Sequence, residues 1–189
     1  MPAAGSRRAW GWHPLTDRWA ERVVADAGVQ PGDLVLDVGA GRGALTRPLV
    51  AAGARVLAFE LHPGRARGLR ESFAGAPVTV VEVDAARLLL PRRAFRVVAN
   101  PPYGITSALV RLLLAPRSSL VAADLVVQRA AARRLAEAGG SARFELSVGL
   151  AVPRSAFVPP PQVDSAVLRI RRRVEGPTSR KTRPRRSGR

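Results

Sequence analysis

Hydrophobic residues occur along this chain in short continuous runs rather than in alternation with polar residues. Five runs lie at 34–40, 55–61, 78–85, 95–102 and 120–128. Because they are rich in Val and Leu and lack a polar face, they predict buried strands of a parallel sheet. The segments at 43–52, 65–73, 107–114 and 129–138 predict helices that cover both faces of that sheet. The pattern therefore indicates a doubly wound α/β fold.

The spacing changes after residue 138. Two strand-like runs at 144–153 and 163–171 are joined by the Pro-rich loop RSAFVPPPQ, which is too short for a crossover helix. Such a connection predicts an antiparallel pair. Five parallel strands and an antiparallel C-terminal pair make a seven-stranded, mostly parallel sheet. This is the arrangement of the Rossmann-like class I methyltransferases that depend on S-adenosylmethionine (AdoMet).

The sequence carries a large excess of positive charge. With 31 Lys and Arg against 14 Asp and Glu, the formal net charge is +17, and Lys181 is the only lysine. Such an excess favours a polyanionic partner, and guanidinium groups pair with phosphate and stack on bases, so we expect RNA. A genome-wide bias toward arginine codons explains the preference for Arg over Lys equally well, but not the size of the excess.

About half of the net charge lies near the carboxyl end. Residues 169–189 include ten basic residues and one acid, Glu175, and the sequence beyond Val174 has no apolar periodicity. We therefore expect one domain over 1–174 and a flexible basic tail over 175–189. The tail acts either as an RNA-binding arm or as a solubilising end.

Other classes of protein are disfavoured by what the sequence lacks. No apolar run approaches the ~20 residues that span a bilayer, and the first residues lack the apolar core of a signal peptide. We expect a cytoplasmic, monomeric protein without a membrane partner. The chain has no cysteine and only two histidines, so neither a disulfide nor a metal centre is expected.

A glycine-rich turn, D-V-G-A-G-R-G at 37–43, follows the first predicted strand and opens a helix. A doubly wound sheet binds its nucleotide at this place. Glu60 and Asp84 end the next two predicted strands, where they can accept hydrogen bonds from ribose hydroxyls and from an adenine amino group. NAD and FAD proteins use a similar turn and acid. The G-x-G-x-G spacing and Asp84 favour AdoMet as the cofactor.

The tetrapeptide Asn100-Pro101-Pro102-Tyr103 ends the fourth predicted strand, on the same sheet edge as the glycine turn. The amino group of an aromatic base is a poor nucleophile, because its lone pair is delocalised into the ring. The Asn100 side-chain oxygen and the Pro101 carbonyl can each accept one amino hydrogen and so direct the lone pair at a methyl donor. We expect Tyr103 to stack on the target base.

These motifs resemble the Erm/KsgA family of rRNA adenine dimethyltransferases, and in particular its Erm macrolide-resistance branch. The resemblance covers residues 7–173. It includes QRAAARRL at 128–135, similar to Q-K-E-V-A-x-R-L, and AFVPPPQVDSAVLRI at 156–170, similar to F-x-P-P-P-x-V-x-S-A-V. The second segment separates this chain from the release-factor glutamine methyltransferases, which share NPPY. The resemblance implies that Phe157 stacks on the target adenine opposite Tyr103.

Two sets of site residues follow from these motifs and the resemblance. The predicted catalytic residues are Asn100, Pro101, Tyr103 and Phe157. The predicted cofactor-binding residues are His13, Leu15, Asp37, Gly39, Ala40, Gly41, Glu60, Leu61, Asp84, Ala85 and Asn100.

The chain departs from the family pattern at three places. RRAWGWHPLTD at 7–17 aligns with R-K-R-F-G-Q-N-F-L-x-D, so Trp12 replaces Gln, and His13 replaces an Asn that contacts the methionine end of AdoMet. Ala130 replaces the Glu of Q-K-E. Family members usually continue into a C-terminal helical domain that helps to hold rRNA. In this sequence we expect the basic tail at 175–189 in place of that domain.

The Erm resemblance implies methylation of an adenine in the peptidyl-transferase region of 23S rRNA. The implied consequence is resistance to macrolide, lincosamide and streptogramin antibiotics. A KsgA-like enzyme would instead act on adjacent adenines near the 3′ end of small-subunit rRNA. A DNA adenine methyltransferase and a non-catalytic RNA-binding or ribosome-assembly factor are two further alternatives.

Overall fold

The helices and strands follow the predicted order. The computed structural model describes residues 13–173, so the predicted tail at 175–189 and positions 7–12 of the amino-terminal motif lie outside the described residues. The elements are α1 (Asp17–Ala27), β1 (Leu34–Val38), α2 (Thr46–Ala51), β2 (Arg55–Glu60), α3 (Pro63–Ser72), β3 (Val78–Glu82), β4 (Phe95–Ala99), α4 (Thr106–Leu113), β5 (Leu120–Gln128), α5 (Arg129–Glu137), β6 (Phe144–Val152) and β7 (Ser165–Arg172). Single 3-10 turns lie at Ala85–Arg87, Tyr103–Ile105 and Arg154–Ala156.

One sheet of seven strands, in the order β3-β2-β1-β4-β5-β7-β6, runs through the described part of the chain. β1 to β5 pair in parallel, and β7 pairs antiparallel with both β5 and β6. The predicted antiparallel pair is therefore confirmed, but β7 is inserted between β5 and β6 rather than added at the edge. β1 and β4 pair in parallel, so their carboxyl ends lie side by side, and the strand order reverses between them.

Alternate residues of the central strands enter two hydrophobic clusters on opposite faces of the sheet. Leu36 of β1 belongs to the cluster that contains Leu109 and Leu113 of α4. Val35, its neighbour in sequence, belongs to the cluster that contains Val23 of α1 and Leu49 of α2. Since successive strand residues point to opposite faces, helices cover both sides of the sheet.

The observed boundaries differ from the predicted ones where local backbone chemistry intervenes. The helix expected at 43–52 begins only at Thr46, because Gly43 adopts a φ of +86° inside the preceding turn. The helix expected at 65–73 begins at Pro63, whose fixed φ suits a first helical turn, and His62 caps it by accepting from the Gly64 amide. β3 ends at Glu82, so Asp84 lies beyond the strand. Helix α1 was not predicted.

A cluster of opposite charges lies beneath α1. Asp124 of β5 is 1% exposed and accepts from the Arg171 guanidinium at 2.7 Å. Arg169 Nε lies 3.9 Å from the same carboxylate, and Arg169 Nη2 donates to Asp26 of α1 at 2.8 Å. Gly149 of β6 leaves room for this arginine, since a Cβ there would lie 2.7 Å from Arg169 Nε. These ion pairs fasten α1 to the antiparallel end of the sheet.

Candidate active site

The glycine turn after β1 lies against the Asn-Pro-Pro-Tyr segment after β4. Gly39 has a φ of +78°, and a Cβ at this position would lie 3.2 Å from Pro102 Cδ. The amides of Gly39 and Ala40 donate to the Phe59 carbonyl at 2.8 and 3.0 Å, which fixes the turn to the end of β2. The turn therefore needs glycine for its backbone conformation and for its close approach to the second loop.

Glu60 is buried at the end of β2 and already accepts several hydrogen bonds. Its carboxylate accepts from the Gly41 amide and the His62 amide, each at 2.8 Å. Arg65 of α3 donates to it through Nε at 3.0 Å and Nη2 at 2.9 Å. A ribose that bound here would have to share the carboxylate with Arg65 or displace it. This ion pair was not predicted, although Arg65 lies only five residues after Glu60.

Asp37 lies near the end of β1, a central strand of the sheet, and its side chain is buried, with 1% of the residue exposed. Thr46 Oγ1 donates to Asp37 Oδ2 at 2.7 Å. Burial raises the pKa of the Asp37 carboxyl from 3.8 to about 7, and the nearby charge of Glu60 adds to the rise, while the Thr46 hydrogen bond opposes it. A positively charged ligand beside Asp37 would favour its ionised form.

A cavity of about 420 Å³ lies beside the ends of β2 and β3, lined by Leu61, Glu82, Val83, Asp84 and Arg87. Asp84 Oδ1 accepts from the Ala86 amide at 2.9 Å and so starts the turn that contains Ala85. The second carboxylate oxygen of Asp84 is then the one that can accept from a bound ligand. A cavity of this size, with apolar side chains from Leu61 and Val83 and a carboxylate from Asp84 among its lining, fits the adenine end of AdoMet.

Asn100 is oriented by the backbone of the amino-terminal segment. Its Nδ2 donates to the His13 carbonyl at 2.8 Å. Because a carbonyl can only accept, this bond assigns the amide nitrogen to the His13 side, and Oδ1 is the atom that Asn100 presents to a donor. The Pro102 carbonyl accepts from the Ile105 amide at 3.1 Å, which closes the 3-10 turn that carries Tyr103.

Tyr103 is partly buried, and its hydroxyl forms a hydrogen bond with Ser165 Oγ at 2.9 Å. Ser165 is the first residue of β7 and is 1% exposed. Burial raises the pKa of the Tyr103 phenol above its ordinary value of 10, against a smaller opposite effect of the Ser165 hydrogen bond. The ring is therefore neutral at physiological pH. Sequence reasoning missed Ser165, although it is the Ser of the quoted V-x-S-A-V pattern.

The structure does not place Phe157 or Leu15 on the open side of the site. Phe157 is 2% exposed and Leu15 is 5% exposed, and both belong to the hydrophobic cluster beneath α1. Their backbones form an antiparallel bridge, which ties the amino-terminal segment to the Pro-rich loop. The Phe157 ring packs within this cluster, and its stacking on the target adenine stays a prediction.

Two further observations concern metals and membranes. Among residues 13–173, no three His, Asp or Glu side chains are grouped so that they could hold a metal ion. In the same part of the chain, every helix is too short or too polar to cross a bilayer.

Comparison with known proteins defines the class of this site. The family model for "Ribosomal RNA adenine dimethylase" matches residues 6–183. The chain belongs to that family. It is 39% identical to ribosomal RNA small subunit methyltransferase A of Thermosynechococcus vestitus, covering 88% of this chain and 69% of the relative. It is 38% identical to the mycinamicin-resistance protein MyrB of Micromonospora griseorubida, covering 91% and 58%.

A solved structure resembles this adenine dimethylase family member in three dimensions. The 23S rRNA methyltransferase ErmE matches with a TM-score of 0.77 and 36% identity, over 86% of this chain and 70% of that chain. Family membership confirms the predicted fold class, and it confirms an AdoMet-dependent rRNA adenine methyltransferase as the class of enzyme. AdoMet is thus the cofactor, and the glycine turn and the acids described above fit it.

Proposed function

We propose that this protein transfers a methyl group from AdoMet to the exocyclic amino group of an adenine in 23S rRNA, and thereby protects ribosomes from macrolide, lincosamide and streptogramin antibiotics. The choice of 23S rRNA is supported by the similarity to the 23S rRNA methyltransferase ErmE, and the resistance by the similarity to the mycinamicin-resistance protein MyrB. The reaction is supported chiefly by one observation: the cofactor turn lies so close to the NPPY segment that a Cβ on Gly39 would be 3.2 Å from Pro102 Cδ. A methyl donor on one loop and an acceptor amino group on the other would therefore meet.

Asn100 and Pro101 act by positioning and electrostatics. Asn100 Oδ1 and the Pro101 carbonyl each accept one hydrogen of the target amino group, which directs the nitrogen lone pair at the donor. AdoMet supplies an activated methyl group on its sulfonium. Neither Asn100 nor Pro101 takes up a proton, and the proton lost by the alkylated nitrogen passes to water.

Four side chains form the proposed cofactor site. Glu60 accepts from the ribose hydroxyls, Asp84 accepts from the adenine amino group, Leu61 contacts the adenine ring, and Asp37 lies near the positively charged end of the cofactor. The backbone of Gly39, Ala40 and Gly41 lets the cofactor approach closely. Leu61, at 42%, and Asp84 are exposed, whereas Glu60 and Asp37 are buried.

Arginines near the carboxyl ends of the strands are proposed to hold the RNA. Arg42 follows β1, Arg87 follows β3 and Arg129 follows β5, and all three side chains are exposed. Guanidinium groups at this edge can neutralise phosphates on either side of an extruded adenine. The basic stretch at 175–189, which lies outside the described residues, would add phosphate contacts without choosing the base.

The test is a map of methylated adenines in cells that express the protein. Mass spectrometry and primer extension of both rRNAs should give a new methylated adenine in the peptidyl-transferase region of 23S rRNA. The 39% identity to a small-subunit methyltransferase favours the second candidate, a KsgA-like activity. Methylation confined to adjacent adenines near the 3′ end of 16S rRNA would establish that candidate and overturn the first.

The catalytic assignment is tested by Asn100→Ala. We expect methylation to be lost while AdoMet affinity stays within several-fold, because Asn100 contacts the target rather than the ribose or adenine of the cofactor. The matched control is Gln30→Ala, which removes a surface amide that donates to the Gly28 carbonyl. Wild-type turnover by Asn100→Ala would refute the assignment.

A further inference from the structure

Six arginines lie together at the sheet edge opposite the candidate active site. This edge holds the first residues of β4, β5 and β6 and the last residues of β7, since β7 runs antiparallel to β5 and β6. Ser119 Oγ, before β5, donates to the Arg92 carbonyl, before β4, at 2.8 Å. The Arg173 amide, after β7, donates to the Arg143 carbonyl, before β6, at 2.8 Å. The amino-edge arginines are Arg92, Arg93, Arg117, Arg143, Arg172 and Arg173.

Two of these guanidinium groups are held in position by backbone carbonyls of the loop before β5. The Arg143 guanidinium donates to the Pro116 and Ser118 carbonyls. The Arg172 guanidinium donates to the Ser118 carbonyl at 3.0 Å and to the Leu120 carbonyl at 2.8 Å. Because a carbonyl carries no net charge, these bonds orient both guanidinium groups without neutralising them.

The charge of the amino-edge arginines is not balanced by nearby acids. Among residues 13–173, no carboxylate oxygen lies within 4.0 Å of their side-chain nitrogens. The acids Asp26, Asp33 and Asp124 pair with other arginines. The stretch at 174–189, outside the described residues, has six basic residues and one acid in its sequence, so it adds charge of the same sign. A concentration of like charge at one surface attracts a polyanion.

We propose that the amino-edge arginines bind the phosphate backbone of double-helical RNA. Guanidinium groups pair with phosphate oxygens through charge-assisted hydrogen bonds, and such contacts hold a nucleic acid without reading its bases. β5 has nine residues, so at ~3.3 Å per residue its two ends lie ~26 Å apart. The contact is therefore separate from the segment that carries the target adenine, and it goes beyond the proposed methylation.

A double helix fits this surface better than a single strand does. Proteins that bind single strands add aromatic side chains on which the bases stack. The aromatic side chains that begin β4 and β6, Phe95 and Phe144, are 1% and 0% exposed. The guanidinium carbons of Arg143 and Arg172 lie 5.4 and 5.3 Å from the centroid of the Phe144 ring. The surface thus offers cations to phosphates and no ring to a base.

The test measures binding of a fluorescent RNA duplex of about 20 G·C pairs to the full-length protein at several salt concentrations. The variant carries Arg92→Gln, Arg93→Gln and Arg117→Gln, three exposed side chains that form no hydrogen bond within residues 13–173. Each lost phosphate contact on a duplex removes ~0.9 from the slope of log K against log salt. The slope should therefore fall in magnitude by up to ~3 units, with the AdoMet Kd unchanged within about twofold.

The matched control removes the same charge from the middle of three helices. It carries Arg22→Gln in α1, Arg67→Gln in α3 and Arg133→Gln in α5, all exposed. Its slope should change by less than about one unit. An equal fall in both triple variants would attribute binding to net charge alone and overturn the proposal. An unchanged slope in the amino-edge variant would overturn it as well.

Two further measurements separate the remaining explanations. If the amino-edge variant loses affinity for poly-glutamate but keeps its slope on the duplex, the surface fits an acidic protein and the RNA proposal is overturned. If the triple variant loses AdoMet binding, the three single variants replace it, each expected to remove ~0.9 unit of slope. Because the duplex contains no adenine, the result does not depend on methylation, and a failure of the proposed function is distinguishable from a failure of this inference.

Discussion

Replacing Asp37 with asparagine should make the cofactor-free protein more stable at pH 8 than the wild type. The carboxyl is 1% exposed, and burial raises its pKa from 3.8 to about 7. An Asn side chain has nearly the same shape and can still accept from Thr46 Oγ1, which lies 2.7 Å from the carboxylate. The substitution therefore removes a buried ionisation and keeps the hydrogen bond.

The sign of the pH dependence follows from the direction of the shift. The native state holds a proton on Asp37 that the unfolded chain releases above its ordinary pKa of 3.8, so the contribution of this carboxyl to stability is complete below pH 4 and is lost as the pH rises toward 7. Each tenfold change in proton affinity is worth ~1.36 kcal/mol, so the loss amounts to ~4 kcal/mol at most. The asparagine of the variant does not titrate, so the variant loses no stability from this position.

Urea unfolding of both proteins without AdoMet, at several pH values from 4 to 8, measures this effect. The difference in the free energy of unfolding, variant minus wild type, should be near zero at pH 4 and grow to ~4 kcal/mol or less by pH 8. Asp17→Asn, at an exposed carboxyl of α1, is the matched control. A difference that does not change with pH, or that grows in favour of the wild type, would refute the buried-acid explanation.

Three further predictions concern the site and its support. Glu60→Ala should weaken AdoMet binding by ~1–3 kcal/mol in calorimetry, because the ribose hydroxyls lose a charged acceptor; an unchanged Kd would place the ribose elsewhere. Ser165→Ala should lower kcat/KM for RNA by up to about tenfold, which corresponds to the loss of one hydrogen bond of ~0.5–1.5 kcal/mol. In the Tyr103→Phe background, the same substitution should cause no further loss of kcat/KM. Additive losses would show that the two hydroxyls act separately. Asp124→Ala should reduce the free energy of unfolding in urea by up to ~3 kcal/mol, because it leaves two arginines without their buried partner; an unchanged midpoint would mean that these ion pairs contribute little.

The sequence predicted those features that depend on local pattern. Continuous apolar runs located the strands, and β5 was predicted at its observed residues, 120–128. The glycine turn and the NPPY segment were both expected at one sheet edge, and Gly39 does lie against Pro102. These predictions succeeded because the carboxyl ends of parallel strands share one sheet edge, and a ligand crevice forms there where the strand order reverses.

The features that were missed depend on pairing between distant segments. The partner of Tyr103 is Ser165, 62 residues away, and no periodicity reports such a contact. Phe157 is buried where its backbone forms a bridge with Leu15, 142 residues earlier in the chain. Arg65 was expected in a helix, but its pairing with Glu60 depends on the start of α3 at Pro63. Local pattern locates helices and strands, but it does not show which distant residue a side chain contacts.

The central position of β7 sets the order in which the protein can be completed during synthesis. β6 leaves the ribosome before β7, yet the strand it pairs with is β7. Until Ser165–Arg172 has been made, β5 is an open sheet edge and β6 lacks its partner, and such edges invite pairing with other chains. The same late strand carries Ser165, the hydrogen-bond partner of Tyr103. A nascent chain that has not yet reached Ser165 can therefore form the cofactor turn, but it lacks the hydrogen-bond partner of the ring that is proposed to receive the RNA base.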